Sequence, residues 1–371
     1  MIPKDTESIS LEWLNDVLDK SGFLKGTRIE SFTNERIGIG FGLVGNMAKL
    51  TLKYKEDRTT MNLPETIVAK WPPADENAFN LGMQFRAWER EIRFYTEVAP
   101  KSRVRVPKLY YSDYDLENKR FGLLIEDCSK YTAVDQIEGL NYEQTKMAII
   151  AIADFQARWW DNDDLFSFEF MPKPYSSVSE TAVAVFKMYW DMCRNNEDFK
   201  SMVPEGSIEA GDIIKEKFSW LYLSKESIPE ENFSICHFDY RADNLFFDFE
   251  NKEQPVIMID LGQAVVSGGI LDVAYLLGGS VPIDLRRKIE KEMVQLYIDR
   301  LLEQGANLKN LLFDRAWTFY CRSVMSNLFL AVLAFINGDL SSERSKKFMK
   351  VGLQRGFAAI LDNDATKTLP S

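Results

Sequence analysis

The run Cys236-His237-Phe238-Asp239-Tyr240-Arg241-Ala242-Asp243-Asn244 sets two oxygen-bearing side chains, Asp239 and Asn244, five positions apart. Apolar residues Leu245-Phe246-Phe247 follow, and a second apolar run, Ile257-Met258-Ile259, ends in Asp260. Phosphoryl transfer asks for these residue types. A carboxylate beside an acceptor hydroxyl can orient it and take its proton. Magnesium prefers hard oxygen ligands, so an amide carbonyl and a carboxylate at the ends of neighbouring strands suit it. The competing reading is that Asp and Asn stand here as turn formers. A chance HxDxxxxN is common. One placed 16 residues before an aspartate that ends an apolar strand is much rarer.

Two upstream segments bear on the same chemistry. In Gly38-Ile39-Gly40-Phe41-Gly42-Leu43-Val44-Gly45, the glycines Gly40, Gly42 and Gly45 fit GxGxxG, with Gly38 just before them. Glycine runs also make ordinary hairpin turns. A dinucleotide fold needs a helix after the glycines, to hold the pyrophosphate. Here Ala48, Leu50, Leu52 and Tyr54 alternate with polar residues, which is a half-buried strand. Strand, glycine loop and strand is the arrangement in which backbone N–H groups lie over nucleotide phosphates. No GKS or GKT follows, so a P-loop is excluded. The second segment is Val68-Ala69-Lys70. A lysine ending an apolar strand costs free energy unless its ammonium has a partner; otherwise it is a surface residue at a strand end. In the phosphotransfer reading it holds the α- and β-phosphates and is held by a glutamate on the next helix. Glu89 and Glu91 both qualify, and periodicity does not separate them.

The elements that must position these groups change character along the chain. Residues 10–21 read as a helix capped by Ser10, with Leu11, Leu14, Val17 and Leu18 as its stripe. Residues 28–70 read as strands, 80–98 as a helix with Phe85, Trp88, Ile92 and Tyr95 on one face, and 106–111 and 120–126 as further strands. After about Cys128, residues 141–160, 179–195, 207–224, 284–304 and 308–336 carry helical patterns. Strand-like stretches return at 233–236, 245–249 and 256–259. The expectation is a strand-rich first third with one internal helix, then a helical remainder holding a small insert where the chemistry concentrates.

Composition narrows the classes. With Lys plus Arg at 45 against Asp plus Glu at 56, the net charge is −11, which opposes a general nucleic-acid binder. Cys128, Cys193, Cys236 and Cys321 form no CxxC, and His237 is the single histidine. A zinc site or a disulfide framework is therefore not expected, and a reducing cytoplasm is the expected compartment. The longest clean apolar runs, 147–153 and 328–336, are shorter than the ~20 residues that cross a bilayer, and the first residues lack a secretion signal. No membrane and no nucleic acid are expected as partners. Oligomeric state has no signature.

The sequence resembles the kinase-like small-molecule phosphotransferases: aminoglycoside phosphotransferases, choline and ethanolamine kinases, and the ecdysteroid-kinase-like group. His237 through Asn244 resembles their HGDYRxDN. Ile259-Asp260 through Gly268-Gly269-Ile270-Leu271-Asp272-Val273-Ala274-Tyr275-Leu276-Leu277 resembles their IDxxxxxxGxxxxDxAxxL. The match is sparser over 37–128, and over 160–230 and 285–371 it is one of helical character. The resemblance implies an α+β, bilobed protein-kinase-like fold. A small antiparallel-sheet lobe with one internal helix would occupy 1–127, and a larger, mainly helical lobe 128–371. It implies ATP and Mg2+ as cofactors and a small-molecule hydroxyl acceptor such as an amino alcohol, sugar, antibiotic or sterol.

Residue by residue, the resemblance makes Asp239 the catalytic base and Asn244 and Asp260 the metal ligands. Lys70 and Glu91 become the phosphate-anchoring pair, because the family carries Glu before an apolar residue and an aromatic pair, as in Glu91-Ile92-Arg93-Phe94-Tyr95. Glu126, Asp127 and Cys128 would meet the adenine. His237 and Asp272 would support the catalytic loop, and Arg241 would either stabilise charge on the transferred group or pair with a neighbouring acid. Two departures stand out: Phe238 replaces the usual Gly, and Gln156 sits where relatives often carry His. Three rivals are a protein kinase, a catalytically inactive nucleotide-binding scaffold, and a helical interaction module. HFD in place of HRD, the absence of APE, and the eleven residues between Asp260 and Asp272 oppose the first.

Overall fold

The computed structural model describes residues 1–38, 46–227, 232–309, 311–338 and 340–371. Gly40, Gly42 and Gly45 of the glycine segment lie outside the described residues. Two compact units emerge. The first comprises 1–101, 105–131 and 259–262, and the second 102–104, 132–258 and 263–371.

In the first unit, α1 (Leu11–Lys20) starts at Ser10, whose hydroxyl accepts the Trp13 N–H. An antiparallel sheet follows, built from β1 (Ile29–Ile37), β2 (Asn46–Tyr54) and β3 (Thr66–Trp71), with a short α2 (Arg58–Met61) between the last two. After α3 (Glu76–Gln84) and α4 (Ala87–Arg93) come β4 (Leu109–Asp115) and β5 (Arg120–Glu126). The strand order is β1-β2-β3-β5-β4. One sheet face and α1 share a core of Leu14, Leu18, Leu50, Ile67, Ala69 and Trp71. Side chains alternate across a strand, so Ala69 and Trp71 in that core turn Val68 and Lys70 to the opposite face. The expected single helix over 80–98 is broken. Arg86 adopts a left-handed φ of 54° and is held there by a two-pronged ion pair with Glu89, at 2.8 Å on each prong. Residues Phe94–Val98 then wind as one π turn.

The second unit begins with β6 (Thr132–Ala133) and α5 (Tyr142–Trp159), the latter started by a reciprocal Asn141–Gln144 capping box. Helices α6 (Ser177–Arg194), α7 (Glu197–Met202) and α8 (Ser207–Leu223) precede the insert: β7 (Phe233–Cys236), β8 (Leu245–Phe247), β9 (Val256–Met258) and β10 (Val265–Gly268). β7 pairs with β10, and β8 pairs with both β6 and β9. α9 (Ile270–Ser280), α10 (Ile283–Glu303), α11 (Phe313–Ser326), α12 (Leu328–Asn337) and α13 (Glu343–Asp362) follow. The helix expected over 308–336 starts later, at Phe313, and is interrupted at Asn327. The stretch 313–337 is long and apolar enough to cross a membrane by length and composition, and 56% of its most apolar window is buried inside the fold. Trp159, Trp160, Trp190 and Tyr320 are all buried in this unit's packing. All four cysteines are buried and unbridged.

Candidate active site

Lys70 comes from β3, whose side-chain alternation lifts it away from the core. It is 8% exposed, a costly place for an unpaired ammonium. It is not unpaired: its Nζ donates to Glu91 Oε1 at 2.7 Å and to Asp260 Oδ1 at 3.0 Å. Burial disfavours its charge, but Asp260 and then Glu91 outweigh that and push its pKa above the ordinary lysine value. Glu91 projects from α4. Glu89, the other candidate, pairs with Arg86 and Arg93. Asp260 has a left-handed φ of 60°, an uncommon conformation for a residue with a side chain. Two residues on, Gly262 lies so near α4 that a Cβ there would sit 3.0 Å from the Ala87 carbonyl oxygen and 3.7 Å from Glu91 Cβ. Glycine is what admits this close approach. Gly38, at the edge of the glycine segment, has φ 74°, and a Cβ on it would meet Met47 Cε at 2.7 Å.

Glu126 ends β5, and Asp127 and Cys128 follow it. The Asp127 carboxylate accepts the Thr66 hydroxyl at 2.7 Å and the Ser129 N–H at 2.9 Å, and pairs with Lys49 at 3.0 Å. Burial alone would raise its pKa, yet these donors bring it down to about 2. Burial and the Glu126 and Asp127 charges push the Cys128 thiol up to about 12. A cleft of about 510 Å³ opens on the first unit, bordered by Phe23, Asn62, Thr66, Lys108, Glu126 and Asp127 among others; neither Lys70, Glu91 nor Asp260 lines it.

In the second unit, the Asp239 carboxylate is held by Asn244, Arg241 and Tyr275. Asn244 Nδ2 donates to its carboxylate and to its backbone carbonyl, both at 2.9 Å. Arg241 Nε lies 3.1 Å from Asp239 Oδ1, and Arg241 Nη1 lies 2.7 Å from Asp243 Oδ2. The Tyr275 hydroxyl donates to the same Asp239 carboxylate, and burial together with that charge pushes its pKa up. Asn244 spends both N–H donors on Asp239, which leaves its carbonyl oxygen as the amide's acceptor. Arg241 is thus engaged by two carboxylates, and its guanidinium also lies 5.6 Å from the centre of the Phe348 ring.

The loop carrying these groups is braced from below. Asp272, fully buried, accepts the His237 and Phe238 N–H groups at 2.8 and 2.9 Å. Burial pushes its pKa up to about 6, against the pull of His237 and of its hydrogen bonds. Phe238 takes the left-handed φ of 71° that a glycine would adopt freely. His237 is 1% exposed, and its Nδ1 accepts the Asp239 N–H at 3.3 Å. A second brace holds the far end. The Ala242 N–H donates to Ser280 Oγ at 3.0 Å, the Ser280 hydroxyl donates to Gln136 Oε1 at 3.0 Å, and the Gln136 N–H donates to Asp243 Oδ1 at 3.0 Å. Arg355 on α13 then clasps the carbonyls of Gln136, Ile137, Glu138 and Gly279.

Gln136, Ser280 and Arg355 have no sequence signal, because each acts through main-chain atoms or across more than a hundred residues. Tyr275 did have one: it lies three positions after Asp272, and so on the same face of α9. A magnesium ion suits the donors present. Among the described residues no group of three His, Cys, Asp or Glu side chains could cage a metal. An Asp carboxylate and an Asn carbonyl are the oxygen donors such an ion takes when nucleotide phosphates and water complete its shell. The ladder pairs Leu245 with Met258. Asn244 immediately precedes β8 at this end of the hairpin.

The model of the ecdysteroid kinase-like family matches residues 41–310. The chain belongs to the ecdysteroid kinase-like family. It is a kinase-type phosphotransferase whose acceptor is an alcohol group of a small molecule. Solved structures agree on the fold. One is a Ralstonia eutropha JMP134 protein provisionally assigned as an aminoglycoside phosphotransferase, 18% identical, covering 98% of this chain and 99% of its own at a TM-score of 0.59. A choline kinase from Cryptosporidium parvum Iowa II is 10% identical, with 94% of each chain covered and a TM-score of 0.56. The GDP complex of wild-type aminoglycoside 2'-phosphotransferase-IIIa is 11% identical, covering 96% of this chain and 99% of its own at 0.52. No curated protein matches the chain.

Proposed function

We propose that this member of the family transfers the γ-phosphoryl group of ATP, with Mg2+, to a hydroxyl of a small molecule. The observation that carries the reading is the buried Lys70 ammonium held between Glu91 and Asp260. A charge kept in burial by two carboxylates is what a phosphate-anchoring lysine requires. Lys70 binds the α- and β-phosphates and Glu91 keeps it extended. Asn244 and Asp260 supply the metal's protein oxygens. The ion, when bound, neutralises charge developing on the transferred group. Backbone near Glu126 to Cys128 meets the adenine, with the Asp127 side chain given to holding that segment in place.

Asp239 orients the acceptor hydroxyl and takes its proton. As the acceptor oxygen forms its bond to the γ-phosphorus, the bond from that phosphorus to the β,γ-bridging oxygen breaks and ADP leaves. Arg241 and Tyr275 set the orientation of Asp239. Catalysis here is mostly positioning and charge neutralisation. The cytoplasm is the compartment where the reduced thiols and the ATP pool fit together. The test is an acceptor screen over amino alcohols, sugars, aminoglycosides, macrolides and sterols, read as acceptor-dependent ADP release. An acceptor that releases ADP with Mg2+ but not with a chelator supports the reading. Release with none of them, by folded protein that binds ATP, points instead to a nucleotide-binding scaffold.

A further inference from the structure

We infer that Gln156 and Tyr297 are positioning residues for the phosphotransfer, a buried relay from α10 through α5 that fixes the backbone carrying Asp239. The inference rests on the proposed assignment of Asp239 as the base. Both residues are fully buried. The Tyr297 hydroxyl donates to Gln156 Oε1, and Gln156 Nε2 donates to Asp272 Oδ2 at 2.9 Å. An amide can be turned end for end; here the Asp272 carboxylate, which only accepts, takes the NH2, which also lies 3.9 Å from Cys236 Sγ, and the amide oxygen is left to the Tyr297 hydroxyl. Asp272 thereby receives three donors, two of them the N–H groups of His237 and Phe238. Phe238 is the left-handed residue immediately before Asp239, and the grip of Asp272 on its N–H offsets the strain of that turn.

Two further observations show the surroundings shaped to this relay. A Cβ on Gly269 would stand 2.5 Å from the Tyr297 hydroxyl oxygen and 2.9 Å from Gln156 Oε1. The chain entering α9 thus clears the relay only because it carries no side chain there. The Gln156 backbone carbonyl accepts the Ser234 hydroxyl at 2.9 Å, which bolts this turn of α5 to β7, the strand leading into His237. The relay also accounts for Gln at a position where the resemblance leads one to expect His. Either side chain can donate to Asp272 with one atom and accept from Tyr297 with the other.

The experiment uses the full chain with Gln156→Leu, Gln156→His and Tyr297→Phe. Three readouts are taken: melting temperature, hydrogen exchange of the 237 and 238 amides, and kcat and KM for ATP with an acceptor from the screen. Loss of a hydrogen bond to a buried carboxylate predicts a fall in kcat of about 10- to 100-fold for Gln156→Leu. The two amides exchange faster by a similar factor, and KM for ATP stays within about twofold. Gln156→His recovers most of both losses, and Tyr297→Phe shows a smaller loss of the same kind. Unchanged exchange at 237 and 238 in any folded variant lacking the relay overturns the inference, as does a Gln156→His variant no better than Gln156→Leu. If Gln156→Leu does not fold, Tyr297→Phe, which removes a single oxygen, decides the matter by the same exchange measurement. If wild type turns over no acceptor, the activity reading fails on its own and the exchange arm still decides the relay.

Discussion

Replacing Asp272 by Asn reverses the usual relation between a buried polar residue and stability. In the native state the Asp272 carboxyl titrates near 6 instead of 3.8, raised first by burial. An acid with a raised native pKa favours folding when protonated. Its contribution is fully present below 3.8 and is lost as pH rises through about 6. The difference of about two pH units amounts to about 3 kcal/mol of destabilisation at pH 7, borne by the wild type and absent from the Asn variant. The variant meets a cost of its own. An amide has one acceptor oxygen for three donors. With that oxygen toward His237 N and Gln156 Nε2, its NH2 faces the Phe238 N–H, a mismatch of about 1–3 kcal/mol. The two effects nearly cancel, so Asp272→Asn stays within about 2 kcal/mol of wild type at pH 7 and gains about 1 kcal/mol relative to it between pH 5 and pH 7. Turnover falls about 10- to 100-fold, because Phe238 loses the acceptor that holds its turn. Urea unfolding at both pH values, with ADP release on the same samples, measures each part. A loss of more than about 4 kcal/mol that does not change with pH, or undiminished turnover, would refute the reasoning. In wild type, the same titration lowers activity as pH falls through about 6 while the fold persists.

Other perturbations have equally definite outcomes. Asp239→Asn lowers acceptor-dependent ADP release by about 10²- to 10⁴-fold while urea unfolding stays cooperative, the range set by loss of a general base. Lys70→Met leaves Glu91 and Asp260 without their shared cation and costs about 3–5 kcal/mol in urea unfolding; adding Glu91→Gln restores part of it. Asp127→Ala loses the Thr66, Ser129 and Lys49 contacts. Its carboxyl is held down to about 2, so its share of stability is present above 3.8 and lost as pH falls through about 2. After allowance for partial solvent screening that share is about 1–2 kcal/mol, seen as a gap between variant and wild type that narrows in acid. Asp260→Asn abolishes Mg2+-stimulated turnover in a metal titration while urea unfolding stays cooperative.

Much of the architecture is legible in the sequence where one face is wet and the other dry. The alternation over Met47–Tyr54 is such a case, and its burial follows the same period of two. Where both faces are buried the period vanishes. Ile270-Leu271-Asp272-Val273-Ala274-Tyr275-Leu276-Leu277-Gly278-Gly279-Ser280 is nearly all apolar and ends in small residues; it gives no helical stripe, yet it forms α9. α13 escapes for the opposite reason, with Gly352 and Gly356 and a cluster of lysines diluting its pattern. Within the site, the motif residues are legible because their spacing is short and local. The groups that hold them are not. Gln136, Ser280, Tyr297 and Arg355 act across distances in sequence at which no local pattern survives, and three of the four exchange hydrogen bonds with main-chain atoms or with one another.

The clasp of Arg355 on the Gln136 carbonyl spans 219 residues. Translation is vectorial, and at about 5–20 residues per second Gln136 waits about 10 to 40 seconds after emerging before its partner exists. During that interval Ser280 can arrive, accept from Ala242 and donate to Gln136, but the Arg355 clasp on the carbonyls beneath them is still missing. A nascent chain stalled before α13 would therefore hold every motif residue and still lack the clasp behind the loop that bears them, so activity switches on late in elongation instead of growing with length.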